Sequence, residues 1–431
     1  MTYAHCRRVA LLALFVPMIL VVSISCSTLP IPYQTFGEDL AMADAMEAYR
    51  LPMVSVDEPE IYYRGEQWAV RAAELIRSAR HSIATTVFLA SLSPQSAIVL
   101  EELAAKARSG IPVYLIFDSI SYLEYTASSE KMKSLNKLRA DGVRMLEFNP
   151  FTGERILLLH NLMLREHRKF LIVDSEIVAL GGMNYNYVSL NDSSSSEGQR
   201  DSMYVFRSHE LAKLLIENFV EFWNASTWDE VALDTLLVNR STVQPEVQHR
   251  AWVADQYHTN ETVKAMFLAL FDAADREILL LPFLPFLDKV MKDSVKRAVD
   301  RGVVVKMLVP WDMRTENRLA VEYAALDLLE LGIELYREPE PQGDYRYPLL
   351  HEKLVVVDDR YVMVGSSNYN YRSMNLSNEL SVVVESTSLN RLSREHLNEL
   401  FIDAHRITVE EARSWRKLEV LPNYWFTFVG G

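Results

Sequence analysis

A stretch of this chain occurs twice, and that repeat restricts the architecture more than any other feature. Residues 167–191 align without a gap on residues 351–375, with 12 identities in 25 positions and an offset of 184. Both copies read His-x-Lys-x4-Asp, then a glycine, then Asn-Tyr-Asn-Tyr. The offset is far longer than a solenoid repeat and has the size of a domain, so the chain is an internal duplication.

The flanking pattern defines the duplicated unit. Residues 68–79 space their apolar side chains as an amphipathic helix, and residues 82–90 are rich in β-branched and aromatic side chains, as in a strand. A helix over 97–109 stops at Gly110, a buried strand follows at 113–117, and a helix over 132–140 closes on Asp141-Gly142. The order recurs with a helix over 259–274, a strand at 278–281, a helix over 289–300 stopped by Gly302, a strand at 303–309 and a helix over 319–331 closed by Gly332. Alternation of this kind predicts an α/β fold. The expected units are residues 61–240 and 241–431, meeting in the polar, unpatterned stretch around 238–250. Residues 26–60, with Pro30, Pro32, Pro52 and Pro59, read as a tether that carries a short helix within 39–50.

The repeated motif implies chemistry. On a strand, positions i and i+2 face the same way, so His167 and Lys169 point to one side, as do His351 and Lys353. The motif aspartates Asp174 and Asp358 follow by seven positions, an odd step, and are expected to support the fold around the site rather than act on substrate. If the copies face each other across a pseudo-twofold axis, two imidazoles and two ammonium groups meet. One imidazole can serve as nucleophile and the other as general acid. The lysines suit the developing charge of a phosphoryl group, so no metal or other cofactor is expected.

These residues resemble the phospholipase D superfamily over about residues 60–400, including Gly181-Gly182 with Asn184 and Gly365-Ser366 with Asn368. The stretches 365–379, 142–150 and 328–336 look like the cardiolipin synthase branch. The resemblance implies two duplicated α-β-α sandwich domains packed about a pseudo-twofold axis, with a monomer sufficient for the active site. It also implies a covalent phosphohistidine intermediate, resolved by water in hydrolysis or by a lipid alcohol in phosphatidyl transfer, with Asn184 and Asn368 near the substrate phosphate. In this family a carboxylate after each motif orients its histidine. Glu379 fits that role for the second copy, and Asp201, reached through the polar loop 191–198, for the first. With Glu379 supporting a protonated His351, His167 is expected to be the nucleophile and His351 the general acid.

Charge and the N-terminus bear on partner and place. The chain has 44 Lys and Arg against 58 Asp and Glu, a net charge of −14. Long nucleic acid is normally gripped by basic surfaces, so a nuclease of the same superfamily is the alternative and a phospholipid the expected substrate. Intact motifs in both copies argue against a non-enzymatic binding protein. Arg7 and Arg8, an apolar run over 9–22 and small residues before Cys26 resemble a bacterial lipoprotein signal over 1–25. Cys26 is then the expected lipidation site, and the bacterial cell envelope, at a membrane surface, the expected location. The apolar stretches 280–287 and 425–428 are expected to be core more than lipid contacts, and Trp252 and Trp311 to be core or pocket walls.

Overall fold

The computed structural model describes residues 40–124, 129–150, 152, 163–192, 195–238, 248–340 and 347–430. The signal over 1–25, Cys26 and most of the anticipated boundary lie outside the described residues.

Each motif strand is a run of four apolar, fully buried residues, Phe170–Val173 in the first copy and Leu354–Val357 in the second. Such a run needs cover on both faces, and each occupies the interior of a sheet. In the first sheet the spatial order is Leu349–Leu350, Gln199–Arg207, Ile177–Gly181, Phe170–Val173, Ile83–Val87, Val113–Asp118 and Arg144–Phe148, with Glu60–Arg64 also pairing to Gln199–Arg207. In the second it is Met53–Val56, His249–Gln256, Glu379–Glu385, Tyr361–Gly365, Leu354–Val357, Glu277–Leu281, Val304–Val309, Glu334–Arg337 and His405–Arg406. The two orders correspond strand for strand at their centres, the motif strand lying antiparallel between a hairpin partner and a parallel βαβ ladder. One hydrophobic core covers the outer face of each sheet. A third is shared by both sheets with the helices His209–Ser226 and Thr387–Phe401. Anticipated elements recur closely; the helix expected over 289–300 is Lys289–Asp300.

The halves exchange strands. Met53–Val56 pairs antiparallel with residues 249–252 of the second half, and Leu349–Leu350 pairs parallel with Gln199 and Arg200 of the first. This corrects the reading of a tether for its described part, residues 40–60. Met42–Ala48 is a helix whose i, i+4 pair Met42 and Met46 is buried in the second half's core beside Phe267 and Phe271. Val54 and Val56, at strand spacing, enter the shared core. Apolar residues at both periods were there to be buried, and the pairing partner lies about 200 residues on.

Candidate active site

Asp174 and Asp358 stand at the far end of each motif strand from its histidine. Both take a left-handed backbone, φ 56 and 49, which a short polar side chain tolerates. The Asp174 carboxylate accepts the backbone N–H groups of Arg80, His81 and Ser82 at 2.7–3.1 Å. Asp358 does the same for Asp275, Arg276 and Glu277 at 2.8–3.1 Å. Each therefore ties the motif hairpin to the start of the neighbouring strand.

The histidines lie at the opposite strand ends. Each is held by backbone from the other half of the molecule. His167 N donates to Asn378 O at 2.9 Å, and His351 N donates to Arg200 O at 2.8 Å. Asn378 and Arg200 immediately precede Glu379 and Asp201. One step further along those strands, the carboxylates meet the imidazoles. His167 Nδ1 is 2.9 Å from Glu379 Oε2, and His351 Nδ1 is 2.7 Å from Asp201 Oδ2. The pairing is thus crossed: Glu379 serves the first-copy histidine and Asp201 the second. This corrects the expectation that each carboxylate orients the histidine of its own copy, and the strand exchange is its physical cause. Nδ1 of each ring is thus held by a carboxylate, which leaves Nε2 as the ring nitrogen for chemistry; in His351 it also lies 3.0 Å from Lys353 Nζ.

Glu379 is clamped by two further donors, Ser366 Oγ and Ser373 Oγ, each at 2.5 Å. Asp201 accepts from Ser202 N at 2.9 Å and Gln199 Nε2 at 2.7 Å, and Gln199 Nε2 also lies 2.9 Å from His351 Nδ1. Lys169 Nζ donates to His167 O at 2.6 Å. Lys353 Nζ donates to His351 O and lies within 3.0 Å of both His351 ring nitrogens. Phe88 flanks His167 edge-on at 4.9 Å with Lys169 Nζ 5.3 Å from its ring centre; Phe283 flanks His351 at 4.6 Å with Lys353 Nζ at 5.4 Å.

Electrostatics separates the two pairs. Burial pushes Glu379 up to about 7, only partly offset by Lys169 and the two serine hydroxyls. Burial also pushes Asp201 up, but the Lys353 charge and the His351 hydrogen bond outweigh it and hold Asp201 below its ordinary value. Burial lowers Lys169 to about 7, reinforced by Lys353, and lowers Lys353 to about 8 against the pull of Asp201 and Glu379. His167 falls well below its usual range through burial and the two lysines. His351 falls to about 4 through burial and Lys353, with Asp201 pulling the other way. Burial and the lysines thus hold both imidazoles neutral, and the pairs differ in their carboxylates: Asp201 lies below its ordinary value and Glu379 above.

Of the remaining anticipated residues, Asn184 Oδ1 accepts Leu89 N at 3.0 Å, which fixes the strand end carrying Phe88. Its counterpart Asn368 is buried with Oδ1 unpartnered. The second asparagine of each Asn-Tyr-Asn-Tyr is a helix N-cap: Asn186 accepts Ser189 N at 2.9 Å and Asn370 accepts Ser373 N at 3.0 Å. The sequence assigns no role to Phe88, Gln199, Ser373 or the Glu166–Arg168 pair, and Phe283 falls in the stretch 280–287 expected to be core. Arg168, fully buried, forks onto Glu166 and reaches Asp255 at 3.1 Å and Tyr257 at 2.8 Å in the second half. A signal existed for the aromatics, since Phe88-Leu89 recurs as Phe283-Leu284, but at an offset of 195 rather than 184. Stretch 280–287 otherwise lies in the core, and Trp252 is buried; Trp311 carries the Arg337 guanidinium 3.9 Å from its ring centre.

The chain matches the family described as "Cardiolipin synthase, PLD-like domain" over residues 73–223 and 267–401, well over half of its length. It is 26% identical over 376 residues to cardiolipin synthase A of Pseudomonas aeruginosa (strain LESB58), covering 86% of this chain and 72% of that one. It is 25% identical over 377 residues to cardiolipin synthase A of Pseudomonas putida (strain GB-1), covering 86% and 74%. In fold it is similar to the phosphatidylserine synthase of Haemophilus influenzae Rd KW20, with a TM-score of 0.65 and 15% identity over 88% of this chain and 94% of that one. The polyphosphate kinase from Porphyromonas gingivalis follows with a TM-score of 0.53 and 15% identity, over 92% of this chain and 59% of that one. Both halves match the same family and their two His-x-Lys-x4-Asp copies converge on a single site, so the chain belongs to the phospholipase D superfamily, in the family of cardiolipin-synthase PLD-like domains.

Proposed function

We propose that this chain is a phosphatidyltransferase or phospholipase D acting on glycerophospholipids through a phosphohistidine on His167. The observation that carries the reading is the pair of buried histidines, each with Nδ1 on a carboxylate from the other half of the molecule, beside two lysines. His167 Nε2 attacks phosphorus and forms the P–N bond as the P–O bond to the leaving alcohol breaks. His351 Nε2 gives that alkoxide its proton. A bound phosphodiester anion offsets the lysine charge that depresses His351, so His351 gains its proton as substrate binds. The neutral His351 then takes a proton from the incoming lipid alcohol or water. The new P–O bond forms, the P–N bond breaks, and both rings return to their starting states. Lys169 and Lys353 neutralise the phosphoryl oxygens throughout. The names of the curated relatives support the lipid substrate, and the net charge of −14 supports it over nucleic acid.

Purified protein incubated in chelator with phosphatidylglycerol, phosphatidylcholine or plasmid DNA is expected to yield cardiolipin or phosphatidic acid and leave the DNA intact. Nicked DNA with unchanged lipid, or activity that returns only with a specific metal, would overturn the proposal. Membrane anchoring in the bacterial envelope through Cys26 belongs to the same proposal. Labelled fatty acid is expected on the parent and not on Cys26→Ser, whereas equal labelling of both rejects that anchor.

A further inference from the structure

The C-terminal helix Leu421–Val429 contains no charged residue. Its exposed side chains are Pro422, Trp425 and Phe426, spaced i, i+3, i+4 and so forming one stripe. Trp425 is 44% exposed and Phe426 55%. A helix on the surface of a soluble protein normally turns charged and polar groups outward; this one turns out its largest aromatics. Its inner side is fixed: Thr427 and Val429 are buried, and the Tyr424 and Phe428 rings pack on Phe286, Tyr323 and Tyr371. The stripe is therefore held rigidly in place.

Its position matters as much as its composition. Phe428 lies 6.2 Å from Tyr371, the first residue of the short helix Tyr371–Asn375, whose Ser373 clamps Glu379. At the helix end, a Cβ on Gly430 would sit 3.2 Å from the Met163 methyl, on the segment that leads into His167. The helix thus lies beside Tyr371 and Met163, in two segments that lead in sequence to Glu379 and His167.

We infer that the Pro422–Trp425–Phe426 stripe is a lipid-docking surface that seats the entrance of the active site on a membrane. The inference rests on the proposed phospholipid substrate, which must enter from a lipid surface. Aromatic side chains suit the boundary between headgroups and acyl chains. The chain carries −14 overall, and just before the helix Arg413, Arg416 and Lys417 are balanced by Glu410, Glu411 and Glu419. Attraction to anionic headgroups therefore does not hold this surface down, and docking is apolar and insensitive to salt.

The test uses the full chain with Cys6→Ser, Cys26→Ser and Phe426→Cys, so that an environment-sensitive fluorophore sits at position 426 alone. A matched protein carries the label at Lys289→Cys, whose parent side chain is 85% exposed. With phosphatidylcholine vesicles, the label at 426 is expected to shift to the blue and brighten severalfold, equally at low and high salt, while the label at 289 does not respond. An unchanged signal at 426 overturns the inference, whether or not the protein sediments with vesicles. So does a shift that needs no vesicles and accompanies a doubling of mass, which assigns the stripe to a second copy. The readout needs no turnover, so failure of lipid turnover sinks the proposed function without moving this signal, and failure here leaves the catalytic reading intact.

Discussion

His167→Ala and His351→Ala are each expected to lower turnover by at least about 10³-fold, since in the proposed mechanism each removes a group that either forms the covalent bond or moves the proton. Both proteins remain folded, with far-ultraviolet circular dichroism and melting temperature near the parent's. The fold survives because each carboxylate keeps other donors. Without His167, Glu379 retains Ser366 and Ser373, and with burial already raising it to about 7 it can take up a proton and sit neutral. Without His351, Asp201 retains Gln199 Nε2 and Ser202 N. Either variant keeping more than a few per cent of parental activity in a steady-state assay contradicts the two-histidine scheme.

The crossed carboxylates lead to the second large effect. Asp201→Asn and Glu379→Gln each cost about 10²–10⁴-fold in kcat, because an amide neither fixes the Nδ1–H tautomer nor stabilises an imidazolium. The two losses differ in kind. In the proposed mechanism Asp201 acts through His351 as proton donor, so a phosphodiester with a p-nitrophenolate leaving group bypasses the need for it. The first-turnover burst on that substrate is expected to recover in Asp201→Asn and His351→Ala. It stays lost in Glu379→Gln and His167→Ala, where the nucleophile itself is disturbed. Carboxylates acting within their own copies would invert the pattern, with Glu379→Gln rescued and Asp201→Asn not.

The parts of the molecule legible in the sequence are those set by local periodicity and by the repeat. The helix Lys289–Asp300 is written in its apolar spacing and in Gly302, whose φ of 91 suits the residue after a helix end. The convergence of His167, Lys169, His351 and Lys353 follows from one motif occurring twice. What was hidden is non-local. Nothing between Pro52 and Pro59 says that Met53–Val56 will pair with residues 249–252, since pairing partner is not a property of the strand that seeks it. The same exchange swaps the carboxylates: Glu379 reaches His167 only because Asn378 pairs beside Glu166. The expectation that His351 is the acid was built on Glu379. The carboxylate beside His351 is instead Asp201, which Lys353 and His351 hold below its ordinary value. The aromatic stretch 425–428, expected as core, divides by face, with Thr427 buried and Trp425 and Phe426 turned outward.

The covalent step is the centre of the account, and trapping it is the most direct test. A substrate labelled at phosphorus is mixed with enzyme, turnover is stopped in alkaline denaturant because phosphohistidine hydrolyses in acid, and the labelled peptide is sequenced. The account predicts label on the peptide containing His167, none on the peptide containing His351, and none in His167→Ala. Label on His351, or turnover with no labelled histidine at any time point, would contradict it.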